Sequence, residues 1–136
     1  MQPEYCRKRT TDRGSNLVEL ALVLPLLLLL LAGVLDLGRI YHTYVVMLNA
    51  SREGARYAAE YPSNVANIIR VVQNEAAFSD VTIPTDAITI QPVGANPGNP
   101  IRVTLDLRLE PLIMSNVLGL PAVPMRASTA FRVRER

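Results

Sequence analysis

The sequence predicts an α+β fold: a long N-terminal transmembrane helix that continues as a stem, a second short helix, and a small antiparallel sheet of about three strands. Three observations lead to this prediction. One nearly uncharged apolar block lies near the N-terminus, the residues after it keep helical spacing, and two runs near the C-terminus alternate apolar and polar residues. We expect a basic cytoplasmic leader over residues 1–14, the transmembrane helix over 15–36, and an extracytoplasmic stem with a small α+β domain over 37–136.

The leader holds the whole excess of positive charge. The chain has a net charge of +2, and the leader alone accounts for it through Arg7, Lys8, Arg9 and Arg13 against Glu4 and Asp12. Because the remaining charges balance, the sequence does not favour a nucleic-acid-binding domain, which needs a basic face on its folded part. Basic residues before an apolar block predict a cytoplasmic N-terminus and a C-terminus outside.

The apolar block is long enough to cross a bilayer. Residues Leu17–Leu35 contain one charged side chain, that of Glu19. As a helix the block would extend about 28 Å, close to the roughly 30 Å of the hydrocarbon core. A cleaved secretory signal peptide is the alternative, but its apolar region is shorter, and Val34 stands where that signal needs a small residue.

Glu19 is an unexpected carboxylate in this block, and the sequence leaves two interpretations open. In the first, Glu19 reaches the lipid headgroups and is favoured by the positive end of the helix dipole. In the second, a peptidase cuts after Gly14, so that Ser15 becomes the first residue of the chain. Glu19 of one subunit then pairs with the new ammonium group of Ser15 in the next, and neither charge is buried alone. Such a pair would set the register between subunits.

The residues between Asp36 and Tyr61 contain no proline and predict a helical stem with an irregularity near Gly38. Small side chains follow this stem in two neighbouring rows at four-residue spacing. One row is Ala50, Gly54 and Ala58, and the other is Ser51, Ala55 and Ala59. Small residues let two backbones approach closely, so both rows are candidate helix-packing sites. The partner is either the chain's own helix or sheet, or a neighbouring subunit.

Two motifs carry a resemblance to a known family. A basic tail, Gly14, four residues, Glu19 and a long apolar run resemble the class III signal peptides of type IV prepilins and pseudopilins. The run that contains Asp36, Gly38 and Arg39, followed by NASREGARYAA, resembles the TadE-like family of the tight-adherence pilus system. Leu20 departs from the pattern, because tight-adherence pilins usually carry an aromatic residue there.

The resemblance implies a pilin-like or pseudopilin subunit, or an assembly factor, of a tight-adherence pilus rather than an enzyme. Major subunits of this class are usually shorter, which favours a minor component. The resemblance also implies cleavage between Gly14 and Ser15 by a prepilin peptidase, anchoring in the bacterial cytoplasmic membrane, and contacts with other pilin-like subunits and the assembly machinery. Display in a cell-surface pilus would follow processing. The alternative is a bitopic anchor that presents a small binding domain without joining a filament.

The rest of the chain predicts the small domain. A second helix is expected from a cap at Ser63 to about Phe78. Strands are expected over residues 87–93, 101–109 and 123–134, with a loop at 94–100 and a short helix or turn at 112–118 that Gly119 closes. Pro124 predicts that the last strand begins late or lies at an edge of the sheet.

The sequence offers no candidate catalytic or metal-binding cluster. Its one cysteine, Cys6, lies in the leader, so no intrachain disulfide is possible. Its one histidine, His42, follows the apolar block, where polar and aromatic side chains line the membrane edge. We predict no cofactor, no nucleic acid and no small-molecule substrate. The charged residues of the stem are expected to form surface ion pairs, namely Glu53, Arg56 and Glu60.

Overall fold

The computed structural model describes the backbone of residues 12–134 and the side chains of residues 16–134. Residues 1–11 of the expected leader therefore lie outside the described residues. The elements in chain order are α1 (Asp12–Glu60), α2 (Val65–Ala77), a 3₁₀ turn (Thr85–Ala87), β1 (Ile88–Gln91), β2 (Pro100–Leu109), α3 (Met114–Leu118) and β3 (Val123–Arg132). A long apolar helix, a shorter helix and a three-stranded sheet confirm the predicted fold class.

Helix α1 has two halves with different surroundings. It runs unbroken for 49 residues with Pro25 inside it. The apolar half, residues 17–35, is largely exposed, whereas the half from Thr43 to Ala59 supplies much of the buried core. Among the residues that the structure describes, α1 is the one helix long and apolar enough to cross a membrane. The predicted stem is thus the second half of the same helix.

The irregularity predicted near Gly38 is wrong, because α1 passes through this residue without interruption. A glycine in a helix interior lowers helix stability by only about 1 kcal/mol, and good helix formers on either side offset this loss. A Cβ atom at this position would meet nothing within 4 Å. Gly38 is therefore not required by close packing.

The sheet has the order β1-β2-β3, and both pairs are antiparallel. Ile90 lies opposite Val103, which lies opposite Thr129 on the other side. The alternation predicted for β2 is confirmed, since Ile101, Val103 and Leu105 are fully buried on one face. Helices α1 and α2 cover that face, and the buried residues of α2 are Ile68, Val72 and Ala76. The core therefore lies between two helices and one face of the sheet.

The second helix begins one residue later than predicted. Its N-cap is Asn64 rather than Ser63, and the Asn64 side chain accepts a hydrogen bond from the Asn67 amide at 3.3 Å. Ser63 instead lies in the turn that follows Pro62. The helix ends at Ala77, with Phe78 as its exposed C-cap. Adjacent cap-forming residues compete for one position, and the turn geometry decides between them.

The strands differ from the prediction mainly at their ends. β1 is shorter than predicted, because the 3₁₀ turn ends at Ala87 and Pro92 has no amide to continue the ladder. β3 lies at an edge, as Pro124 predicted, but begins at Val123 and ends at Arg132. Phe131, near the end of β3, is 43% exposed. An edge strand has no neighbouring strand on one side, so a large side chain near its end stays partly exposed to solvent.

Candidate functional site

The residues proposed for processing lie in the first turns of α1. The backbone of Gly14 and Ser15 is helical there, whereas their side chains lie outside the described residues. Glu19 follows one turn later, and its side chain is exposed. Among the described side chains, none forms a salt bridge with Glu19. The pairing proposed for Glu19 requires a second chain, so a single chain does not bring its members together.

The first row of small residues is buried, and its middle residue lies against α2. Ala50 and Ala58 are fully buried, and Gly54 between them is buried as well. A Cβ atom built on Gly54 would lie far inside the contact distance of Cγ2 of Val72. Atoms of side chains do not approach so closely without one of them moving. The contact between α1 and α2 therefore depends on the absence of a side chain at Gly54.

The second row of small residues lies against the edge of the sheet formed by β3. The Ser51 hydroxyl is 2.8 Å from the Thr129 hydroxyl, and it donates to the Leu48 carbonyl at 2.9 Å. At the far end of the row, the Arg134 amide donates to the Ala59 carbonyl at 3.0 Å. Ala55, in the middle of the row, is fully buried. Both rows are thus buried within this chain: Gly54 lies against α2, Ser51 contacts β3, and Ala59 contacts the residues that follow β3.

Asp36 forms a site that the sequence pattern did not reveal. It is 6% exposed, and its carboxylate accepts hydrogen bonds from the amides of Leu112, Ile113 and Met114. The distances are 3.0 Å to Leu112, 3.1 Å to Ile113 and 2.8 Å to Met114. These amides begin the turn that leads into α3, and such turn-initiating amides lack backbone partners. One carboxylate therefore fastens the β2–β3 connection to α1 where its apolar segment ends.

A second contact lies one turn before Asp36 on the same face of α1. A Cβ atom at Gly33 would lie 3.0 Å from Cε of Met114, so the Met114 side chain covers this glycine. In the sequence, this site is indicated only by an acidic residue that directly follows the apolar block. Its partners are more than seventy residues away in the sequence, and nothing local indicates them.

Three pairs of charged residues lie at the surface, away from this contact. Glu53 and Arg56 are hydrogen-bonded, as predicted for the surface of the stem, and the Arg56 guanidinium lowers the pKa of Glu53. Glu60 lies 3.6 Å from Arg134, and Asp106 accepts a hydrogen bond from Arg126 at 2.5 Å. Exposed pairs of this kind contribute little to stability. They shape the outer surface rather than build a reactive site.

The described residues contain no group of three or more His, Cys, Asp or Glu side chains able to hold a metal ion. His42 lines an open groove together with Arg39, Thr43 and the turn over residues 79–82. A second groove lies at the other end of the domain, between Tyr61 and Val133. The well-defined contacts described above, those of Asp36, Gly54 and Ser51, all lie along α1 and are structural.

These features define a class of protein in which one long helix, apolar enough to cross a membrane, carries a small α+β domain on its second half. Residues 14–56 match the family model described as TadE-like protein, which confirms the resemblance to the TadE-like family. The matched segment begins at Gly14 and extends through Asp36 to the small-residue rows. No curated protein and no solved structure matches the chain.

Proposed function

We propose that the chain is a pilin-like or pseudopilin subunit, or an assembly factor, of a tight-adherence pilus and that it is a minor component. One observation carries the proposal: the TadE-like match covers residues 14–56, which hold the candidate cleavage position, Glu19 and the stem. The role is structural rather than enzymatic. The membrane, a prepilin peptidase, other pilin-like subunits and the assembly machinery are its partners.

In this proposal the N-terminal segment is processed before assembly. The chain inserts with its N-terminus inside and its C-terminus outside, as the basic leader favours. Prepilin peptidase cleaves between Gly14 and Ser15 and releases an ammonium group one turn before Glu19. Because a carboxylate in an apolar segment is costly alone, Glu19 gains most by pairing with the ammonium of a neighbouring subunit. The pair thereby selects one stagger between adjacent helices.

The surroundings of the two halves of α1 support different roles for them in this proposal. Most large apolar residues of the first half are exposed, among them Leu30 and Leu22, and Leu22 is 74% exposed. They are free to contact lipid first and neighbouring apolar helices after assembly. The small-residue rows of the second half are buried against the chain's own α2 and β3. Subunit contacts in this proposal are therefore made by the first half of α1.

Replacing Glu19 with Ala is expected to lower co-assembly with other pilin-like subunits by roughly tenfold or more, because the partner ammonium then loses its buried counter-charge. Membrane insertion should be unchanged, since the variant segment is more apolar. Quantitative co-purification of pilus components, together with the fraction resistant to alkaline extraction, measures the two effects.

Glu53→Ala is the matched control, because it removes the same charge from an exposed position on the same helix. It should leave both measurements unchanged. If Glu19→Ala assembles as well as Glu53→Ala, the chain acts as a bitopic anchor that presents its domain without joining a filament.

A further inference from the structure

The connection between β2 and β3 carries an exposed apolar surface. Residues 111–125 contain no charged side chain. Within this run Leu112 is 58% exposed, Val117 61%, Leu118 54% and Leu120 45%. We call residues 112–120 the apolar connection. Four exposed large side chains within nine residues make this segment a candidate interaction site.

The apolar connection is held beside the end of the candidate membrane span. The Asp36 carboxylate accepts hydrogen bonds from the first three amides of the apolar connection. The Met114 side chain covers Gly33, which belongs to the apolar segment of α1 itself. On the same face of α1, Leu29 and Ala32 are half-buried while most residues of the segment are exposed. These positions follow helical spacing. The connection therefore lies alongside the final turns of the span and not above the domain.

Several polar groups of the apolar connection are hydrogen-bonded within the chain. The Val117 amide donates to the Ile113 carbonyl at 3.0 Å, and the Gly119 amide donates to the Ser115 carbonyl at 2.9 Å. The Asn116 side chain donates to the Leu112 carbonyl at 2.6 Å. Gly119 ends α3 with a φ of 67°, a conformation that glycine adopts without strain. Backbone that enters a bilayer must be satisfied in this way, because lipid offers no replacement partners.

We propose that the apolar connection inserts into the interfacial layer of the bilayer and forms a second membrane anchor beside the span. Lipid is the occupant because the exposed side chains continue the lipid-facing surface of residues 17–35 at the same height along α1. A soluble partner would have to displace lipid from the adjoining segment to reach the same surface. Apolar side chains at a membrane interface bind in proportion to the area they bury. The anchor fixes the orientation of the domain on the membrane and does not depend on filament formation.

The proposal is tested with the full chain in phosphatidylcholine nanodiscs that hold one chain each. In a Cys6→Ser background, an environment-sensitive fluorophore is attached to Leu118→Cys or, in a second variant, to Val117→Cys. Ala130→Cys is the control, because Ala130 lies on the outer face of β3, away from the connection. We expect blue-shifted emission, quenching by lipids labelled near the headgroup, and loss of iodide quenching at both positions 117 and 118. The control should show aqueous emission and full iodide quenching.

Emission at positions 117 and 118 that matches position 130 would overturn the proposal. So would protection that appears only when several chains share one bilayer, because the occupant would then be a second copy. Processed and unprocessed chains should behave alike in this experiment, so failure of the proposed anchor is distinguishable from failure of the proposed pilus role. Circular dichroism of each labelled chain confirms that the fold is retained.

Discussion

Replacing Gly54 with Ala is expected to destabilise the domain by about 1–2 kcal/mol. The added methyl would clash with Cγ2 of Val72, which is fully buried. Overpacking costs about 1–3 kcal/mol, and a contact this close belongs to the upper part of that range. The better helix propensity of alanine returns about 1 kcal/mol, which leaves a net loss of about 1–2 kcal/mol. For a domain of this size the midpoint of thermal unfolding should fall by roughly 5–10 °C. The near-UV circular dichroism of the tyrosines in the detergent-solubilised chain reports the transition.

Gly38→Ala is the matched control, since it makes the same substitution in the same helix where nothing lies within 4 Å of the new atom. It should leave the midpoint unchanged or raise it. Val72→Ala removes the clashing methyl, so the double variant Gly54→Ala/Val72→Ala should be more stable than the sum of the single effects predicts. Equal midpoints for Gly54→Ala and Gly38→Ala would show that α1 and α2 are not in close contact.

Replacing Asp36 with Ala is expected to release the apolar connection from α1. The variant removes the acceptors of three amides, those of Leu112, Ile113 and Met114. Hydrogen bonds to a charged acceptor are among the stronger ones in proteins, so these amides should exchange with solvent roughly ten- to a hundredfold faster. Hydrogen–deuterium exchange measured by mass spectrometry on peptides that cover residues 110–118 gives the readout.

Two further variants make this test specific. Asp36→Asn keeps one carbonyl oxygen as an acceptor and should fall between the original chain and Asp36→Ala. Asp86→Ala removes an exposed carboxylate in the 3₁₀ turn and should leave exchange in the connection unchanged. Unaltered exchange in Asp36→Ala would contradict the bonding assigned to this carboxylate. Hydrogen–deuterium exchange of the β2 amides should stay slow in all three variants, because none of the substitutions changes the core around Val103.

The elements that the sequence predicted well are those with a local signature. The apolar run of residues 17–35, the helical spacing of the stem and the strict alternation of β2 are each recognisable within a few residues. The small-residue rows were also visible, because their four-residue spacing is local. Their partners were not, since nothing in Ala50 or Ser51 indicates whether a helix or a strand lies opposite.

The site at Asp36 shows why the remainder escaped prediction. The carboxylate and its amide partners are far apart in the sequence, and backbone amides carry no side-chain identity to recognise. Ser63 and Asn64 differ for a similar reason, because both residues cap helices and only the turn after Pro62 selects between them. Tertiary contact at Asp36 and local turn geometry at Asn64, rather than periodicity, determine these positions.

The proposed function depends most directly on whether the chain is cut after Gly14. Intact-mass measurement of the chain extracted from the membranes of cells that contain its own prepilin peptidase decides this point. A Gly14→Leu variant, expressed in the same cells, supplies the uncleaved reference. We expect a chain that begins at Ser15 and comprises residues 15–136, with the variant left at full length. A chain that keeps residues 1–14 in those membranes would contradict it.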